Sequence, residues 1–148
     1  MIDKKSLYLA APLFNPAERS RNRELKTILA PWFSVYLPQE DGALLQDLLS
    51  LGVPSMAARK IIFDKDVENI VSADVVLVVL NGRGVDEGAA FELGVAWALG
   101  KPCVGYKDDF RQMLPDGDNP MISEALQVTL RTFEEVELWA SEFSQNQE

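Results

Sequence analysis

Glu92 is the residue most in need of a chemical explanation. It lies in GVDEGAAFELGVAWALGKP, residues 84–102, and its neighbours at helical spacing are Gly88, Ala89, Val95, Ala96 and Leu99. A carboxylate on a packed apolar face costs free energy unless it is paired or hydrogen-bonded. Two readings follow. Either this face meets water or a buried arginine, or Glu92 lines a cavity floored by Gly88, Ala89 and Ala96. In such a cavity a desolvated carboxylate is a stronger nucleophile. Asp86 lies about one and a half helical turns earlier, and it suits an N-cap or a second acid facing the same pocket. Asp74 opens an apolar run and reads as a cap or loop residue, or as a third acid. Tyr8, inside SLYLAA, is a core side chain or a hydroxyl that reaches Glu92 and keeps it ionised. Asp64 and Asp66 read as solvated helix charges, with the sheet edge as the alternative.

Composition narrows the chemistry. The chain has 148 residues, 47% hydrophobic and 25% charged, which suits one domain spanning 1–148 with a full-sized core. It has one cysteine, Cys103, and no histidine. An internal disulfide is excluded, a zinc site is disfavoured and a histidine triad is impossible. Acids and bases must then come from carboxylates, Tyr, Lys or Cys. The formal net charge of -9 argues against a nucleic-acid partner, whose phosphates need concentrated Lys and Arg. A free nucleoside or another small neutral ligand is compatible with it. No stretch has the length of a membrane span, so the chain reads as cytoplasmic, without a membrane partner.

Strand and helix patterns alternate along the chain. Strands are expected at 6–11, 34–37, 74–80, 102–106 and 128–131. Helices are expected at 16–30, 43–51, 55–72, 87–99 and 133–143, with a short one starting at Ser123. Asn15 and Pro16 supply an N-cap and an N1 proline for the first helix, and Gly52 and Gly100 close two others. The tail SQNQE, 144–148, is expected to fray. This alternation implies a parallel sheet covered by helices on both faces, with ligands beyond the carboxyl ends of the strands. The turn AAPLFNP after the first strand lacks the glycines of a dinucleotide cradle, and neither a phosphate loop nor a nucleophile elbow is present. Phe14, Trp32 and Trp97 suit base stacking or core packing. Arg19, Arg21 and Arg23 suit a phosphate site or a solvated face paired with acids. Arg111 suits a ligand contact or an ion pair with Asp108 or Asp109.

The residues YLAAPLF (8–14), ADVVLVVLNGRGVDEGAAFELGVAWALGKP (73–102) and GYKDDFR (105–111) resemble the nucleoside 2-deoxyribosyltransferase family. The densest part is D-x-G-x-x-x-E-x-G-x-A-x-A-x-G-K-P, starting at Asp86. The resemblance implies a flavodoxin-like three-layer sandwich around a parallel sheet of about five strands. It implies a catalytic Glu92 that attacks C1′ of a 2′-deoxynucleoside as the base leaves, followed by attack of a second, free nucleobase with net retention. Asp74 or Asp86 would meet the leaving base, and Tyr8 would orient Glu92. From the residues themselves Phe14, Gly88 and Arg111 are candidate substrate-binding positions, and Asn119-Pro120-Met121 is similar to a family element that completes a neighbouring subunit's pocket. No metal or organic cofactor is implied. Phe91 and Trp97, on a helix apolar nearly all round, fit a subunit interface, so at least a dimer is expected. Two other functions use the same residues: hydrolysis of 2′-deoxynucleosides or their 5′-monophosphates, and non-catalytic nucleotide binding.

Overall fold

A computed structural model of the chain describes residues 3–146. Two strand–helix units open it: β1 (Lys5–Ala10), α1 (Pro16–Leu29) and β2 (Phe33–Tyr36), then the short helices α2 (Pro38–Asp41) and α3 (Leu45–Ser50). The long α4 (Ser55–Ser72) leads to β3 (Val75–Val79), α5 (Glu87–Ala98) and β4 (Cys103–Tyr106). The chain ends in α6 (Pro120–Ser123), β5 (Thr129–Leu130) and α7 (Phe133–Gln145). All five strands pair in parallel in the order β2-β1-β3-β4-β5, the flavodoxin-like order.

Strand alternation divides the core into two layers. Leu7 and Leu9 of β1 and Val75, Leu77 and Val79 of β3 pack with Leu25 and Leu29 of α1 and Val136 and Ala140 of α7. On the opposite face, Tyr8, Ala10, Val76 and Val78 pack with Ile70 of α4 and Ala89, Leu93 and Ala96 of α5. β3, Val75–Val79 within the run DVVLVVL, is buried at every position, as a central parallel strand covered on both sides must be.

Local signals explain most boundaries. The Asn15 side chain accepts from the Glu18 N–H at 2.9 Å, with Pro16 at the first helical position. Gly100 ends α5 with φ of 73°. Two stretches depart from expectation. The single helix expected over 43–51 is replaced by α2 and α3. Pro38 starts α2, and the chain turns at Gly42, where a Cβ would lie 2.5 Å from the Pro38 carbonyl oxygen. Ser123 ends α6 rather than starting it, because Asn119-Pro120 repeats the cap used by Asn15-Pro16. Helix α7 runs to Gln145, through the start of the tail expected to fray; residues 147–148 of that tail lie outside the described residues. Among the described residues no helix is long and apolar enough to cross a membrane.

Candidate active site

The site is built where β1 and β2 meet α4 and α5. Alternation sends Tyr8 to the α4–α5 side of the sheet, where it is fully buried. Its hydroxyl donates to Glu92 Oε2. Helical phase then places Glu92. Ala89, Leu93 and Ala96 turn into the sheet, and Glu92, about 100° round from Leu93, faces the gap between α5 and α4. β2 adds the partner. Tyr36 is the register neighbour of Tyr8, and the two rings stack at 5.4 Å and 19°. The Tyr36 hydroxyl donates to Asp66 Oδ1 at 3.3 Å. Glu92 and Gly88 from α5 and Arg59, Phe63, Asp66 and Ile70 from α4 line one cleft of about 320 Å³, with Leu45 from α3 at its side.

The electrostatics follow from burial. Glu92 is pushed up to about 7, first by desolvation, with the Tyr8 hydrogen bond pulling down and the Asp66 and Asp86 charges pushing up. Asp66 is also raised by burial, against the Tyr36 hydrogen bond and the Lys65 charge. Tyr8 is raised far above an ordinary phenol by burial and by Glu92, so it stays a neutral donor. Two carboxyls that share a cleft and both bind protons more tightly than usual can divide the roles of nucleophile and acid near neutral pH.

The other expected site residues are placed as follows. Asp86 caps α5, its side chain accepting from the Ala89 N–H at 3.0 Å, while its charge also acts on Glu92. Gly88 lies beside Glu92, where a Cβ would stand 3.2 Å from Asp86 Oδ2. Asp74 is not brought into the cleft. It stands at the amino edge of β3 and accepts from the Ser6 N–H at 2.7 Å and the Ser6 hydroxyl at 3.0 Å. These bonds hold its carboxyl below the usual range. Phe14 lies past the carboxyl end of β1, 73% exposed and outside the cleft lining. Arg111 pairs with Asp109, Nε to Oδ2 at 2.8 Å, and Asp109 also accepts from the Gly82 N–H at 2.9 Å. Asn119 caps α6 by accepting from the Met121 N–H at 3.0 Å. Met121 is 81% exposed and lines a separate hollow with Ala90 and Trp97, on the side of α5 away from Glu92.

Asp66, expected as a solvated helix charge, lines the cleft instead, and two residues were not expected at the site: Arg59 in the lining and Tyr36 behind Asp66. A signal for Asp66 was present. Ile62, Phe63 and Ile70 surround it at helical spacing, the pattern that singled out Glu92. Tyr36 and Arg59 carried no such mark.

Strand order and a tyrosine-buttressed pair of carboxyls between α4 and α5 define a flavodoxin-like α/β protein with an acid-lined cleft. The sequence model of the nucleoside 2-deoxyribosyltransferase family matches residues 7–144, and the chain belongs to that family. Solved structures agree with the fold. A 2-deoxyribosyltransferase from Bacillus psychrosaccharolyticus is 26% identical with a TM-score of 0.74, covering 89% of this chain and 90% of its own. A conserved protein from Enterococcus faecalis is 26% identical with a TM-score of 0.77, over 95% and 99% of the two chains. A CMP N-glycosidase from Clostridium botulinum shares the fold at 16% identity and a TM-score of 0.54, over 94% and 98%. No curated protein matches the chain significantly by sequence.

Proposed function

We propose that the chain, as one catalytic unit, transfers a 2-deoxyribosyl group between nucleobases through an ester on Glu92. The observation that carries this reading is the Tyr8–Glu92 contact at the wall of a cleft that also holds Asp66. Glu92 attacks C1′ while the C1′–N bond breaks, and its electron pair leaves with the base. Asp66 is the group placed to give that nitrogen a proton. A second base attacks C1′ from the vacated side, the C1′–O bond breaks, Glu92 regains its charge and the acceptor's proton goes to Asp66. Two inversions give retention. Positive charge on the sugar ring in each transition state is met by the acids around it.

The balance of charge favours a nucleoside over a 5′-monophosphate. Among the described residues the cleft lining holds Asp66 and Glu92 against Arg59, with Asp86 and Lys65 flanking it, and the first turn of α5 already commits a free N–H to Asp86. A phosphate dianion would meet net negative charge there. Asn119 and Met121 face away from Glu92 of their own chain, which supports their serving the cleft of a neighbouring copy. A covered Trp97 face would fit the same assembly.

The test is incubation with deoxyinosine or thymidine plus free adenine. New deoxyadenosine that disappears in Glu92→Ala supports transfer. Free deoxyribose without a new nucleoside makes the chain a hydrolase, and turnover of monophosphates alone moves the substrate class. No turnover of any of these leaves a binding protein.

A further inference from the structure

We infer that Tyr36 is a positioning residue for the reaction, holding Asp66 against the departing base as Tyr8 holds Glu92. The inference rests on the reading of the cleft given above, and it concerns a side chain that makes no part of the cleft lining itself.

The geometry comes from strand register. β1 and β2 run parallel, and Tyr8 and Tyr36 are paired positions, so their side chains leave the sheet on the same face and at the same level. Their rings stack at 5.4 Å with 19° between planes. Each hydroxyl then reaches a different helix: Tyr8 the Glu92 carboxylate on α5, Tyr36 the Asp66 carboxylate on α4. Two adjacent strands thus hand one donor each to the two acids that face one another across the cleft. A rigid ring with few rotatable bonds fixes a carboxylate better than water would, because the stack removes the freedom of the ring before substrate arrives.

The groups facing Asp66 are Tyr36 from β2 and Glu92 from α5, with Lys65 beside it on α4 and Arg59 two turns earlier lining the same cleft. Those facing Tyr36 are Asp66, Asp41 from α2, Glu92 and the stacked Tyr8, whose hydroxyl also lies within reach of the Asp66 charge. Burial and these acids keep Tyr36 protonated, so it always donates. Without that donor, Asp66 loses a bond that favours its charged form and binds its proton more tightly, and its charge presses less on Glu92. The consequence has a sign. Loss of the Tyr36 hydroxyl moves the basic limb of the rate profile to higher pH and leaves the acid limb in place or slightly lower. Loss of the Tyr8 hydroxyl moves the acid limb up.

The experiment compares wild type, Tyr36→Phe and Tyr8→Phe by transfer rates across pH and by carboxyl ¹³C titration of Asp66. Tyr36→Phe keeps the stacked ring and is expected to fold. Its kcat should fall about tenfold or more with KM little changed, as expected for loss of one hydrogen bond to a charged group. The Asp66 titration should move upward. Should Tyr36→Phe unfold, 3-fluorotyrosine at position 36, a stronger donor, should move that titration downward. An active Tyr36→Phe enzyme whose Asp66 titration and basic limb match wild type overturns the inference alone. A wild-type chain with no turnover, whose Asp66 titration still responds to Tyr36→Phe, overturns the catalytic reading instead.

Discussion

At the residue scale, the burial of Glu92 carries a cost in stability. A carboxyl that ionises near 7 in the folded chain and near 4.5 when unfolded makes the native state prefer the proton. That preference stabilises fully below pH 4.5 and is lost as pH rises through about 7. The shift corresponds to about 3 kcal/mol. Glu92→Gln should therefore match wild type in urea unfolding at pH 4 and exceed it by about 1–3 kcal/mol at pH 8. An equal difference at both pH values would mean that Glu92 is not desolvated. In the proposed transfer the same group would set the rate profile. A nucleophile must be ionised, so kcat/KM should rise with pH through about 7. In Tyr8→Phe that limb should shift upward, and the rate should fall about ten- to hundredfold, because a hydrogen bond to a charged group is lost. A limb that stays in place in Tyr8→Phe would separate the tyrosine from the titration of Glu92.

At the element scale, the two helices that wall the cleft have different tasks. On α4, Arg59, Phe63 and Asp66 follow one another at helical spacing from the mouth inward. Phe63 packs on Phe91 of α5 at 5.8 Å and ties the walls together. Among the described residues Arg59 makes no hydrogen bond or ion pair, and its guanidinium offers donors only. Bases that present oxo groups suit it. Arg59→Ala should raise KM for oxo-bases about tenfold with little change in kcat, the pattern of lost ground-state binding, while KM for adenine changes less. Equal losses for every base would make Arg59 a general electrostatic contact. On α5, Gly88 leaves the space beside Glu92. Gly88→Val places methyl groups against Asp86 and in the cleft, and should raise KM about tenfold or more while circular dichroism stays native. A KM unchanged by that bulk would put the substrate elsewhere. The loops past β3 and β4 are fastened to each other by Asp109, which accepts from Gly82 and pairs with Arg111. The residues of GYKDDFR thus have a structural task that needs no ligand.

For the whole molecule, the decisive feature is the half of the expected site that faces outward. Met121 is 81% exposed and Trp97 61% exposed around a hollow of about 210 Å³. Exposed apolar side chains of this size grouped round one hollow are typical of a contact surface. If Asn119 and Met121 complete a neighbour's cleft, chains carrying Glu92→Ala and chains carrying Met121→Ala, each weakly active or inactive alone, should recover activity on mixing and re-equilibration. Mixed assemblies then contain sites with Glu92 from one copy and Met121 from another. Absence of recovery, with sedimentation showing mixed oligomers, would confine each site to one chain.

Much of this was readable from local sequence, because caps, proline, glycine and apolar period act over a few residues. Asn15-Pro16 and Gly100 marked helix ends, the β-branched run after Asp74 marked a buried strand, and Glu92 stood out against its apolar neighbours. The alternating elements implied a parallel sheet covered on both faces, and its flavodoxin-like arrangement was expected from the family resemblance. What the tertiary structure decided was which acids meet. Asp74 and Asp66 belong to one continuous stretch of chain, yet α4 and β3 run in opposite directions. The acid at the start of the strand therefore falls at the sheet's amino edge, on Ser6, and the one inside the helix faces Glu92. Tyr36 and Tyr8 became partners through the register of two strands separated by a helix. Helix phase was visible in the apolar period around Glu92 and Asp66, but which residues of two strands stand side by side, and which helices share a cleft, is set by packing over long separations.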